Sequence, residues 1–384
     1  MRGICRWLWL LLRTINRYRS VLQVFILLVV GTGYCLLLGS SAVTAQHDAA
    51  LTTSINHNYS KVKHKLLQQE ATLKVTPGQN VVEDEGVDLE DLETELQARR
   101  QRVWDVCLEH NLHNKGQANA WEFFVDAKHS LVWCNIFKAA SSTWMYNFNL
   151  LAGYREYYLR RTRKTPLNLA RAHFPRPTIQ QLQAALPESL SFLIVREPFE
   201  RLLSAYRNKI EGLRHRFYRK LGREMVLKYR TKTEEYAALH PERNITIPAM
   251  GPTFSEFVSY VIDTGLSTTH PKFDEHWAPY YSFCTPCHVN FTVIAKLETL
   301  TRDEEYIIHR AGLEEILMPS KSKDRPKQVI NKARGGKATS DLVQKYYNQL
   351  TDEQLNKLYQ IYGIDFEMFG YNASKYFKMV QKEE

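Results

Sequence analysis

The chain has 384 residues, 44% of them hydrophobic, enough for one large globular domain or two small ones. Its formal net charge of +10 favours acidic partners: nucleic acid, anionic lipid, or sulfated and carboxylated sugars. Composition does not choose among these, so the choice falls to the compartment, which is read from the N-terminus.

Val21 to Val43 runs almost wholly apolar, with Gln23 the one strongly polar side chain before Ser40. About 20 apolar residues span a bilayer as a helix. Arg2, Arg6, Arg13, Arg17 and Arg19 precede the run with no acid among them, which holds that end in the cytosol. The sequence thus predicts a cytoplasmic tail over 1–20, a transmembrane signal-anchor helix over 21–43, and a lumenal remainder, in single-pass type II orientation. A signal peptide cleaved after Ala45 is the competing reading, because Val43-Thr44-Ala45 resembles a small-residue cleavage site, but the apolar stretch is long for one. Sequons at Asn58, Asn244, Asn290 and Asn372 are candidate glycosylation sites and agree with a lumenal location. This topology, rather than charge, disfavours nucleic acid as a partner.

Of the six cysteines, Cys5 and Cys35 belong to the tail and the span. Cys107, Cys134, Cys284 and Cys287 remain, an even set in an oxidising compartment and therefore disulfide candidates, with the pairing left open. Cys284-x-x-Cys287, with His276 and His288 nearby, also admits a zinc reading. Only one such pair exists, so disulfides are preferred and no metal is expected.

Residues 44–100 read as a polar stem with a dense acidic run from Glu83 to Glu95. Leu89, Leu92 and Leu96 recur at helical spacing, but a solvated spacer is the preferred reading. From about Gln101 aromatic and aliphatic residues become dense, and 101–384 is read as the lumenal domain. Residues 131–138 read as a buried strand, followed by small residues and a helix from about Ser142 to Ala152, closed by Gly153. Residues 191–196 read as a second buried strand; Pro198 suits the first turn of the helix that follows, carrying Phe199, Leu202, Leu203, Tyr206 and Ile210 at helical spacing. Helical segments at 254–264 and 341–361 complete the pattern. Short buried strands alternating with helices predict an α/β fold with a central parallel sheet flanked by helices.

A strand, a small-residue turn carrying a lysine, and a helix together make the general architecture of a phosphate cradle. In Phe137-Lys138-Ala139-Ala140-Ser141-Ser142-Thr143-Trp144, Lys138 supplies a full charge, the alanines let the backbone approach an anion, and the three hydroxyls add donors. The Walker pattern is absent here, so the site is at most P-loop-like, and an ordinary strand-to-helix turn explains the segment equally well. Arg196 at a strand end, with Ser204 about two helical turns on, can grip a second phosphate.

Four stretches resemble the Golgi carbohydrate sulfotransferases of the chondroitin 4-O / HNK-1 type. Lys138 to Trp144 is similar to that family's 5′-phosphosulfate loop, and Val195-Arg196-Glu197-Pro198-Phe199-Glu200-Arg201-Leu202-Leu203-Ser204 through Lys209 to its 3′-phosphate motif. The others run from Phe273 through Cys284 and Cys287 to Thr299, and from Leu358 to Tyr371. Together they span most of 104–371 in the family's order. The resemblance implies a sulfotransferase fold and a Golgi location. It also implies 3′-phosphoadenosine 5′-phosphosulfate as donor, and an acidic glycan such as a glycosaminoglycan as acceptor. The favoured product is the 4-O sulfate of N-acetylgalactosamine in chondroitin or dermatan; sulfation of another glycan is the alternative. Homo-oligomerisation is compatible with this reading. The first loop departs from the family: Ser141 stands where Cys is usual, Thr143 where Asn is usual, and Met145-Tyr146 where two basic residues are usual. The basic run Arg160 to Lys164 could restore that charge.

Sulfonate transfer requires stabilisation of the leaving phosphate, a hold on the sulfonate oxygens, and removal of the acceptor proton. Lys138, assisted by Ser141, Ser142 and Thr143, is expected to serve the first two. Arg196 and Ser204 are expected to hold the 3′-phosphate. His173, between the two donor motifs, is the expected base, with His276 its rival. Basic residues from Arg201 to Arg223 and from Lys321 to Lys337 could hold a polyanion or simply form solvated faces. Two other functions compete: a lumenal phosphotransferase or glycosyltransferase, against which stands the lack of a Walker loop and an Asp-x-Asp motif, and a non-catalytic polyanion binder, against which stand Lys138, Arg196 and Ser204.

Overall fold

The two continuous apolar runs of the sequence become the central strands of a small mixed sheet. Residues 89–213, 215–267, 272–318 and 338–380 are described by a computed structural model. The expected tail and span, the stem up to residue 88 with Asn58, and the basic cluster Lys321–Lys337 lie outside the described residues. Among the described residues no helix is long and apolar enough to cross a membrane.

Strand β1 (Phe123–Asp126) pairs antiparallel with β2 (Leu131–Cys134). β2 runs parallel to β3 (Leu190–Val195), and β3 parallel to β4 (Val293–Lys296), giving the order β1-β2-β3-β4. The expected parallel sheet is therefore right for β2, β3 and β4 and incomplete at one edge, where the short hairpin back from β1 forces an antiparallel pair. β2 and β3 are buried on both faces, which is why they read as unbroken apolar runs rather than as alternation. The register opposes Phe123 to Cys134, Cys134 to Leu193, and Val195 to Lys296. The C-terminal ends of β2, β3 and β4 and the start of β1 thus share one sheet edge.

In chain order the helices are α1 (Leu89–Glu109), α2 (Ser141–Leu151), α3 (Glu156–Arg161), α4 (Pro166–His173), α5 (Ile179–Ala185), α6 (Pro198–Ala205), α7 (Arg216–Leu239), α8 (Phe254–Gly265), α9 (Tyr280–Phe283), α10 (Leu300–Arg310), α11 (Glu314–Leu317), α12 (Val343–Tyr347), α13 (Asp352–Phe369) and α14 (Ser374–Val380). Their starts follow local chemistry. Thr178, Thr253 and Thr351 cap α5, α8 and α13, each in a reciprocal capping box. Pro166 and Pro198 occupy first turns, where a missing N–H leaves nothing unsatisfied. The single helix expected over 341–361 is instead a short 3-10 turn, α12 and α13, because Thr351 starts a new helix.

Two apolar clusters fill the interior. One surrounds the sheet, where Trp133 packs on Phe124, Phe148 and Phe192 with ring centroids 5.2, 5.5 and 6.3 Å apart. The other gathers α6, α7, α8 and α12 to α14 about Phe199, whose ring meets Tyr347, Phe366 and Tyr376. The solvated-spacer expectation ends short of residue 100: Leu92 and Leu96 are buried, and Arg99 pairs with the buried Asp303 at 2.6 Å while donating to Ile294 O at 2.9 Å. A long acidic stretch hid a helix whose apolar stripe covers β4.

The cysteine pairing left open by the sequence is Cys107–Cys287 and Cys134–Cys284. Both members of the Cys-x-x-Cys pair are thereby used. Among the described residues no group of three or more His, Cys, Asp or Glu side chains could hold a metal ion.

Candidate functional site

β2 and β3 each deliver one basic residue beyond the same sheet edge. β2 stops at Cys134, and the loop to α2 holds Lys138 at φ 72° and Ala140 at φ 55°. Both are non-glycine residues in the left-handed region, which costs about 1 kcal/mol or more each. The two bends present the lysine beside the start of α2. That helix has no side-chain cap and no acid in its first turn, so its partial positive charge is not neutralised locally. Ser141 is buried there, while Ser142 and Thr143 are half-buried in the same turn.

β3 ends at Val195, so Arg196 is the first residue past the strand, and its backbone N–H donates to the Tyr280 hydroxyl at 3.0 Å. Its guanidinium reaches Glu200 at 3.4 Å, and its buried Nε has no partner among the described residues. Glu197 caps α6, accepting from Glu200 N at 2.6 Å and from the Tyr376 hydroxyl at 2.8 Å. Burial pushes its carboxyl up to about 7. Glu200 also takes Lys375 at 3.2 Å. Ser204 lies half-buried on α6, as its spacing implied.

Several residues of the second stretch position the site instead of lining it. Phe199, Leu202 and Leu203 are core side chains, and Pro198 opens α6. Arg201 is 1% exposed, and no carboxylate among the described residues pairs with it. It donates to three backbone carbonyls, Phe137 at 3.0 Å, Ala278 at 2.8 Å and Glu275 at 3.5 Å. One guanidinium thus ties the Lys138 loop to the segment 275–278.

Lys138 stands among like charges. Its ammonium is pushed down to about 8, first by burial and then by Lys209, Arg196 and Arg201. Carboxylates offset them only in part: Glu200 takes Arg196 at 3.4 Å, and Asp274 and Glu275 act on Lys209. Lys209 comes from a π turn, Tyr206–Ile210, directly after α6. Such turns are rare and concentrate at functional sites. A cluster of four cations that repel one another is complementary to a polyanion. In the basic run Arg160 to Lys164, Arg160 pairs with Glu156 at 3.3 Å, and Arg161 lies over the Tyr157 ring. Met145, in place of a basic residue, is buried in the core.

The two histidines are placed very differently. His173 is exposed at the end of α4, its ring edge against Phe174, and among the described residues no hydrogen bond or ring contact joins it to the Lys138 loop. His276 is buried with its ring 4.6 Å from that of Phe137, the neighbour of Lys138. Asp274 Oδ1 lies 2.6 Å from His276 Nδ1, and the Tyr218 hydroxyl lies 3.1 Å from the same nitrogen. Burial is the main cause that lowers this imidazole below the usual histidine value, and Lys209 and Lys138 add to it against the pull of Asp274. Beside it, burial and the Glu122 and Asp274 charges push Glu275 up to about 7. Neither residue carried a spacing signal in the sequence. Asn244, Asn290 and Asn372 are all exposed.

The family described as Sulfotransferase family matches residues 121–372. Carbohydrate sulfotransferase 11 of Rattus norvegicus is 29% identical over 294 residues, covering 74% of this chain and 78% of its own. The protein of the same name in Danio rerio is 30% identical over 305 residues, with coverage of 74% and 78%. Carbohydrate sulfotransferase 14 of Danio rerio is 28% identical over 250 residues, covering 64% of this chain and 61% of its own. No solved structure matches.

Proposed function

Because the chain belongs to the sulfotransferase family and is a carbohydrate sulfotransferase, we propose that it sulfonates the 4-hydroxyl of N-acetylgalactosamine in chondroitin or dermatan. The observation that carries this reading is the cluster of Lys138, Arg196, Arg201 and Lys209 at the shared ends of β2 and β3. The resemblance of the Lys138 to Trp144 and Val195 to Lys209 stretches to the chondroitin 4-O / HNK-1 type supports chondroitin over other glycans.

The donor, 3′-phosphoadenosine 5′-phosphosulfate, supplies an activated sulfonate on a phosphate leaving group. The residues present fit such a group: an Arg196 Nε and a Lys138 ammonium with no ion pair or hydrogen bond among the described residues, and a start of α2 with no side-chain cap, are what two phosphates require. Lys138, with Ser141, Ser142 and Thr143, holds the 5′-phosphosulfate and meets the charge that develops when the sulfur–oxygen bond breaks. Arg196 and Ser204 hold the 3′-phosphate. The acceptor proton passes to His276 in preference to His173. Asp274 fixes the His276 tautomer with the proton on Nδ1, which leaves Nε2 as the basic atom. The lowered pKa keeps that imidazole neutral near pH 7.

The apolar run 21–43 and its basic flank support a type II anchor in the Golgi membrane, with 101–384 lumenal. The exposed sequons Asn244, Asn290 and Asn372 support the same side of the membrane.

The test is transfer of labelled sulfonate to a panel of desulfated glycosaminoglycans, followed by disaccharide analysis. Product confined to the 4-position of N-acetylgalactosamine is expected, with loss of transfer in Lys138→Ala and Arg196→Ala. Full transfer by Lys138→Ala overturns the site, and sulfonate at another position overturns the acceptor.

A further inference from the structure

The start of β1 lies on the same sheet edge as the Lys138 loop, because Phe123 is opposite Cys134 and Asn135 N donates to Glu122 O at 3.0 Å. Just before β1, Trp121 leaves 57% of its surface to solvent; Trp104 is exposed as well, whereas Trp133, Trp144 and Trp277 are buried. The Arg176 guanidinium lies 4.2 Å over its ring. Arg176 is held there by Glu122, whose carboxylate is fully buried and accepts from Arg176 at 2.8 Å, Arg171 at 3.1 Å and Asn135 at 3.1 Å. One buried carboxylate thus fixes two arginines, leaving a net positive charge, and Arg176 spends one of its five N–H donors on the protein.

This pair is not remote from the reaction centre. The Glu275 carboxyl feels the charges of Glu122, Arg176 and Lys209, and Arg201 donates to the Glu275 carbonyl at 3.5 Å. The segment that carries Glu275 thus reaches both the Glu122–Arg176 pair and the cation cluster around Lys138. An exposed indole with a rigid, partly unspent guanidinium at its face is suited to one kind of ligand. A sugar ring stacks its C–H face on the indole, and its carboxylate takes the arginine fork.

We propose that Trp121 and Arg176 form the acceptor subsite for a uronate residue, next to the sugar whose hydroxyl is sulfonated. The proposal rests on the glycan sulfotransferase reading, which it extends from the donor to the acceptor. It assigns the two residues different tasks. Trp121 recognises the ring whatever its charge, and Arg176 recognises the carboxylate. Glu122 is a positioning residue that touches no substrate.

The experiment is calorimetry on the full lumenal protein loaded with 3′-phosphoadenosine 5′-phosphate. The probes are a desulfated chondroitin hexasaccharide and the same hexasaccharide with its uronates reduced to neutral sugars. Arg176→Gln is expected to bind the native hexasaccharide about tenfold more weakly and the reduced one unchanged. Trp121→Ala, a change at an exposed side chain, is expected to weaken both about equally. In turnover assays both variants should raise KM for the polymer with kcat retained. Native hexasaccharide binding unchanged in both variants overturns the proposal, as does a loss in Arg176→Gln that is the same for both probes. Failure of the wild type to bind 3′-phosphoadenosine 5′-phosphate would instead overturn the donor-site reading, and the hexasaccharide comparison, run without nucleotide, would still decide the subsite.

Discussion

Arg201 Nε donates to the carbonyl oxygen of Phe137 at 3.0 Å, so the helix after β3 holds the loop after β2. The same guanidinium holds Ala278 and Glu275 by their carbonyls, and Tyr280 lies under it at 4.6 Å. A neutral replacement strands buried acceptors with no water to take over. Arg201→Ala should lose about 3 kcal/mol or more of stability and most donor affinity, and Arg201→Lys should recover part of each. Thermal unfolding with and without 3′-phosphoadenosine 5′-phosphate separates the two losses.

The pH profile of donor-limited turnover, which reports the free enzyme, should be bell-shaped. On the acid side, activity rises as His276 loses its proton, below the usual histidine value. On the alkaline side, kcat/KM for the donor falls near pH 8 as Lys138 loses its charge. His276→Asn should abolish the acid limb along with turnover by at least about 100-fold, while donor binding persists. Lys138→Arg should remove the alkaline limb. An acid limb that follows His173→Asn instead would return the base to the exposed histidine.

Stability should fall as pH rises from about 5 to 7.5. Glu197 is raised from 4.5 to about 7 by burial, so its contribution is fully present below 4.5 and is lost as pH rises through 7. Asp365, which accepts from Tyr280 N and Tyr281 N, is raised to about 7 by burial and acts in the same direction. Glu197→Gln keeps an acceptor for Glu200 N and Tyr376 and carries no charge. Its stability should vary less with pH, by on the order of 2 kcal/mol over that range. Chemical denaturation at several pH values reads the difference.

Non-reducing peptide mapping should recover the pairs 107–287 and 134–284. Cys134→Ser with Cys284→Ser should cost about 2–5 kcal/mol. It should also lower donor affinity more than the Cys107, Cys287 pair does, because Cys134 is the last residue of the strand that carries the Lys138 loop.

What sequence could and could not reveal follows from the range of the forces involved. β2 and β3 were legible because strands buried on both faces need uninterrupted apolar residues, and the helix after Arg196 because Pro198 marks its first turn. The break at Thr351 was legible in principle as a capping box, Thr351 with Gln354, but the helical spacing on either side masked it. Leu92 and Leu96 were seen and discounted, because acidic neighbours outweighed a stripe that only a partner sheet makes meaningful. The placing of His276 against Phe137 was beyond any local pattern. It depends on Arg201 reaching across two distant segments, and no spacing encodes that. The cysteine pairing failed to show for the same reason, whereas the antiparallel edge is a local hairpin whose first strand, Phe123–Asp126, is only four residues long.

Both disulfides end on one short segment, at Cys284 and Cys287, after closing loops of 150 and 180 residues. In a chain oxidised as it is synthesised, Cys107 and Cys134 emerge long before either rightful partner. Their nearest available partners at that stage are each other. The correct connectivity is therefore reached only after translation has passed residue 287, by exchange or by delay. A truncation before Cys284 removes the partners of both Cys107 and Cys134, and with them both crosslinks of the domain.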